Sequence, residues 1–234
     1  MSSSLHKNAH KTLYITLNLG CSGSCKDCLT RGLSSCSRLT IQETIDWNKL
    51  RDVVCTSRAE NVILIGGESP LYHSEGHRTI YYRIDDIVRP RKKLYALTTL
   101  KGLLENRNTV VLSHFDKLFV YIPELELGGS TSFFWTSGST EVNTIIRPGV
   151  ELNTACLNKL RVCRYPSPTI VVERTDVTKI PELIRMNGDF NFISENSIFN
   201  WQSPVYNLMT GEYKLHMASD RSEKKNRPWR ELVK

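Results

Sequence analysis

Long apolar runs are missing from this chain: no stretch of its 234 residues approaches the roughly eighteen needed to span a bilayer as a helix. The opening residues MSSSLHKNAHK contain no apolar block of the kind that directs secretion, so the expectation is a cytoplasmic protein with no membrane partner. Internal repeats and low-complexity tracts are also missing, which excludes solenoids and arrays. The seven cysteines are an odd number and do not read as a disulfide framework, so reduced thiols are expected. Acidic residues are in deficit: 24 Asp and Glu against 31 Lys and Arg leave a net charge of +7. That sign favours an anionic partner such as a nucleotide, a nucleic acid or an acidic protein surface. Much of the excess sits in Arg221, Lys224, Lys225, Arg227, Arg230 and Lys234. This tail reads as a solvated basic segment, with nucleic-acid contact as the alternative. With 40% apolar and 24% charged residues, the chain has the composition of a globular protein large enough for one sizeable core.

What the chain does have is LYITLNLGCSGSCKDCLT over residues 13–30. Leu13, Ile15, Leu17 and Leu19 alternate with Tyr14, Thr16 and Asn18, the period of a strand with two different faces. Gly20, Ser22, Gly23 and Ser24 then favour a loop in which Cys21, Cys25 and Cys28 can converge on one centre. The same spacing also fits one face of a helix, where the cysteines would be small packing residues. A structural zinc takes four protein ligands, so three close thiolates point to an iron–sulfur cluster with one iron left open. Cys36, eight residues on, keeps a four-thiolate zinc knuckle as the rival.

A second motif follows. Val62, Ile63, Leu64 and Ile65 form a continuous apolar run, as in a parallel strand covered on both faces, and it ends in Gly66-Gly67-Glu68-Ser69-Pro70. Paired glycines let a ligand approach the backbone closely, and Glu68 adds an acceptor for a cation; a tight turn alone is the plainer reading.

The C-x3-C-x2-C loop after a first strand resembles the signature of the radical S-adenosylmethionine (SAM) enzymes. The resemblance implies that Cys21, Cys25 and Cys28 hold a [4Fe-4S] cluster whose open iron is chelated by SAM. It further implies that one electron, from a donor such as flavodoxin or ferredoxin, cleaves SAM to a 5'-deoxyadenosyl radical that takes hydrogen from a substrate. Such a protein would be oxygen-sensitive. Gly66, Gly67 and Glu68 are similar to the family's G-G-E-P run, which binds the SAM amino group, although Ser69 stands at the proline position. LTTLKGLL around Thr98 and Thr99 is similar to the third strand and its turn, so both threonines would face the nucleoside. Asp27 replaces the aromatic residue usual before the last cysteine, and Cys28-Leu29-Thr30 departs from the C-D-T of the carboxy-deazaguanine synthases.

The rest of the chain alternates. Thr40 and Glu43 have the spacing of a capping box, which predicts a helix from Ile41 to Cys55. Further helices are predicted at 77–88, from Leu100 to Glu105, around Leu152, Cys156 and Leu160, and at 177–184. Strands are predicted at 94–97, 118–122, 169–172 and 190–193. Glu124, Glu126 and Arg174 are further contact candidates, and Phe133, Phe134 and Trp135 lie in a Gly/Ser/Thr-rich loop that suits a lid or a packed surface loop. His73 and His77 lack a third ligand. Six alternations imply an α/β fold with parallel strands, a partial (βα)6 barrel of the radical SAM kind. It would follow an arm at 1–10, occupy 11–195, and precede an irregular basic extension at 196–234. The expected function is a radical SAM enzyme acting on a small, nucleotide-like substrate, purine- or pterin-derived. An activase of a glycyl-radical enzyme and a non-enzymatic zinc module that binds nucleic acid are the alternatives.

Overall fold

A computed structural model describes residues 11–17, 45–66, 75–100, 103, 112–122, 140–147, 153–163, 165–172, 190–194, 203–208 and 210–214. The chain divides into two compact units: residues 1–118, 137–141 and 200–220 form one, and residues 119–136, 142–199 and 221–234 the other.

In the first unit the strands β1 (Thr12–Thr16), β2 (Asn61–Ile65), β3 (Lys93–Thr99), β8 (Val205–Asn207) and β9 (Tyr213–Lys214) lie in the order β3-β2-β1-β8-β9. The β1–β2, β2–β3 and β1–β8 pairs are parallel, and only β8–β9 is antiparallel. β1 does not have the one wet face that its alternation suggests. Tyr14 and Thr16 are as buried as Leu13 and Ile15, because a central strand of a parallel sheet is covered on both sides.

Helix α1 (Trp47–Thr56) starts later than the predicted Ile41. Asp46 caps it, its carboxylate accepting from the Lys49 N–H at 3.0 Å, while Ile45 and Asp46 themselves are not helical. A carboxylate at that position satisfies an orphan N–H and complements the helix dipole. Leu50 and Val54 are buried as their spacing predicts. Helix α2 (Glu75–Val88) matches its predicted core face, with Ile80, Ile84, Ile87 and Val88 all buried. It packs against α1 and β3. Tyr81 meets Phe115 edge to face at 6.2 Å. At the start of β3, Asp116 binds Leu94 twice: its N–H donates to the Leu94 carbonyl, and its carboxylate accepts from the Leu94 N–H.

The second unit takes up the chain within β4 (Lys117–Ile122) and adds β5 (Glu141–Ile146), α3 (Thr154–Cys163), β6 (Thr169–Val172) and β7 (Asn191–Ser194). Its strand order is β7-β6-β5-β4, and β5–β6 and β6–β7 are parallel. Strand β5 was not predicted. Its sequence EVNTII is polar in its first half and buried only in its second, so it shows neither alternation nor a continuous apolar run. In α3 the predicted Cys156 and Leu160 are buried, joined by Leu157.

The α/β class with parallel strands therefore stands, with one more strand than the six expected in that run. The segment 196–234 is not irregular throughout: residues 203–214 supply β8 and β9, and Ser203, Val205, Tyr206 and Leu208 are buried. Among the described residues no helix is long and apolar enough to cross a membrane. The predicted helix at 177–184 lies outside the described residues, as does most of the one from Leu100 to Glu105.

Candidate functional site

The site is built on the C-terminal ends of β1, β2, β3 and β8 in the first unit. Register pairs Thr16 with Ile65 on one side and with Asn207 on the other. The ladder extends one step past β1, since the Leu17 N–H donates to the Ile65 carbonyl at 2.8 Å. Gly66 comes next, buried and with φ +114°, a backbone conformation that favours glycine. A Cβ on Gly66 would stand 2.7 Å from the Leu17 carbonyl oxygen. The chain leaving β1 toward the cysteine loop and the chain entering the two-glycine turn are thus in backbone contact.

The cysteines themselves, Cys21, Cys25, Cys28 and Cys36, lie outside the described residues, as do Asp27, Gly67, Glu68, Ser69 and Pro70. The same holds for His73, Glu124, Glu126, Arg174 and the loop with Phe133, Phe134 and Trp135. Among the described residues no three His, Cys, Asp or Glu side chains come together as a metal site. Cys55 is exposed, and Cys156 is packed inside α3.

The two threonines of β3 part company. Consecutive strand residues point to opposite faces. In-register parallel neighbours share a face, so Leu13, Ile15, Val62, Leu64, Leu94, Ala96 and Tyr206 form one face. That face is the α1 side, because the Lys49 ammonium of α1 and the Tyr206 hydroxyl both lie near Gly211. Thr98 continues this face and is 2% exposed, its hydroxyl donating to the Thr99 carbonyl at 3.3 Å. Thr99 belongs to the opposite face with Tyr14, Thr16, Ile63 and Ile65, and is half-buried. A ligand on that opposite face has Thr99 within its reach and Thr98 behind the sheet.

Two residues at this edge carried no weight in the sequence. Thr16 is 1% exposed, and its hydroxyl has no hydrogen-bond partner among the described residues. Asn207 stands beside it on β8, and its side-chain oxygen accepts from the Thr210 N–H at 3.1 Å. The turn is closed by Gly211, whose N–H donates to the Asn207 carbonyl, and it is tied to β1 by the Leu208 N–H donating to the Thr16 carbonyl. The Asn-x-x-Thr-Gly pattern is a turn signal from which this segment could have been read.

The nearby phenols are held protonated. Burial pushes the Tyr95 hydroxyl up, reinforced by the carboxylates of Asp116 and Glu141. Burial does the same for Tyr206, with Asp46 adding to it. No protein-family model matches the chain, and no curated protein matches it.

Proposed function

We propose that this chain is a radical SAM enzyme, with Cys21, Cys25 and Cys28 as ligands of a [4Fe-4S] cluster and Gly66, Gly67 and Glu68 as the seat of the SAM methionyl group. One observation carries the reading: the strand that leads to the three cysteines and the strand that leads to the two glycines are neighbours, in backbone contact at Leu17 and Gly66. A molecule that must touch both an open iron and the two-glycine turn needs that adjacency. The residues present suit it. Gly66 has no room for a side chain, and a buried hydroxyl on Thr16 waits beside it.

When bound, the cluster supplies the electron that cleaves SAM and so generates a 5'-deoxyadenosyl radical. The chain's own residues do the rest. Three thiolates leave one coordination place vacant, where a fourth would close it. The two-glycine turn brings backbone carbonyls to an ammonium group, and Glu68 adds charge of the opposite sign. Buried Leu17 and Ile65 exclude water from the strand ends, which protects a radical from quenching.

The six-unit partial barrel, with its radical SAM character, belongs to this reading, and so does a cytoplasmic site where thiols stay reduced. The substrate is a small purine- or pterin-derived molecule, and a flavodoxin- or ferredoxin-like donor supplies the electron. The test is anaerobic reconstitution with iron and sulfide, followed by reduction with SAM present. A brown protein that forms 5'-deoxyadenosine is the expected result. A colourless protein holding one tight zinc overturns the reading in favour of the binding module.

A further inference from the structure

The sheet face turned away from α1 ends, at its C-terminal edge, in Asn207, Thr16 and Ile65 side by side. Of these, Thr16 poses a problem that the fold does not solve. Its hydroxyl is buried and meets neither donor nor acceptor among the described residues. An unpaired buried hydroxyl weighs against the folded state, and valine fills the same shape in a strand without that burden. Tyr81 and Tyr206 also bury unpaired hydroxyls, but Tyr81 lies in α2 and Tyr206 on the α1 side of the sheet, so neither faces this edge.

We propose that the Thr16 hydroxyl is a ligand contact, hydrogen-bonding SAM where the molecule passes over the end of β1 from the cysteine loop to the Gly66–Gly67 turn. The inference rests on the function proposed above and adds to it a residue on the strand itself, where the motifs name only the loops on either side. Position supports it: Thr16 is the last residue of β1, paired with Ile65, which immediately precedes Gly66. Chemistry supports it as well, since a hydroxyl can donate to a carboxylate oxygen or accept from an ammonium, and the methionyl group of SAM carries both. Segment 203–208 completes the site from the other side, because β8 and the Leu208 N–H hold the end of β1 in place.

The test compares wild type, Thr16→Val and Thr16→Ser, first as cluster-free proteins by thermal melting and then as reconstituted proteins by calorimetric titration with SAM. Cluster-free Thr16→Val should melt at or above the wild-type temperature, because an unsatisfied hydroxyl has gone. Its affinity for SAM should fall roughly fivefold, the weight of one hydrogen bond, while Thr16→Ser keeps wild-type affinity. A Thr16→Val protein that binds SAM as tightly as wild type overturns the inference and leaves the proposed function standing. So does a Thr16→Val protein that melts well below wild type or fails to fold, since the hydroxyl then has a structural partner. A wild type that binds no SAM at all removes both.

Discussion

Gly66 and Leu17 touch through their main chains: the carbonyl oxygen of Leu17 occupies the space in which any side chain on Gly66 would begin, 2.7 Å from the missing Cβ. The contact holds the exits of β1 and β2 together. It also makes Gly66 irreplaceable for two separate reasons, its positive φ and the lack of room beside it.

Gly66→Ala should therefore destabilise the protein by more than about 1 kcal/mol, since both the dihedral and the contact are refused. Urea unfolding measures this directly. The obstacle is backbone rather than a flexible side-chain end, so larger residues should be worse still. A variant as stable as wild type would show that the two strand ends are not packed this way.

Replacing any one of Cys21, Cys25 or Cys28 by alanine should abolish both the brown colour of the reconstituted protein and 5'-deoxyadenosine formation. Cys36→Ala should spare both. Iron and sulfide content, together with the ultraviolet–visible spectrum, decide the matter. Loss of the metal in the Cys36 variant would instead favour a four-thiolate zinc centre.

Asp46→Ala should cost about 1 kcal/mol, the usual loss when a capping carboxylate is removed. Thr40→Ala should cost little, because α1 begins at Trp47 and not at Ile41. Urea midpoints of the two variants distinguish the cap that the helix uses from the one its sequence also offers.

Alkaline pH should weaken the fold. Burial raises the hydroxyls of Tyr81, Tyr95 and Tyr206 above their ordinary 10.0, so the folded chain keeps protons that the unfolded chain gives up. Their contribution is complete below pH 10.0 and is lost as pH rises through the folded values. Tyr81→Phe should flatten this alkaline loss. At neutral pH it should leave stability unchanged or slightly raised, since the Tyr81 hydroxyl has no partner among the described residues. Urea midpoints at about pH 8 and about pH 11 test both statements.

Most of the strands and helices could be read in advance because burial leaves a period in the sequence. Ile80, Ile84, Ile87 and Val88 line the inner face of α2 as their spacing requires, and the apolar run Val62–Ile65 is the parallel strand it looked like. β5 escaped because only half of it is buried, and β8 because three residues are too few to show a period. Both owe their place to neighbours that supply the hydrogen bonds and the cover.

The candidate site divides in the same way. Its chemistry was written in residue types at fixed spacing: three cysteines, two glycines, a glutamate. Those follow from what a metal and an ammonium group demand of side chains, whatever the fold around them. That the two motifs stand at adjacent strand ends, that Thr98 and Thr99 face opposite ways, and that Thr16 and Asn207 share an edge with Ile65 depended on strand order and register. These arise from hydrogen bonds between residues far apart in the chain, and no local pattern of side chains encodes which strand will be whose neighbour.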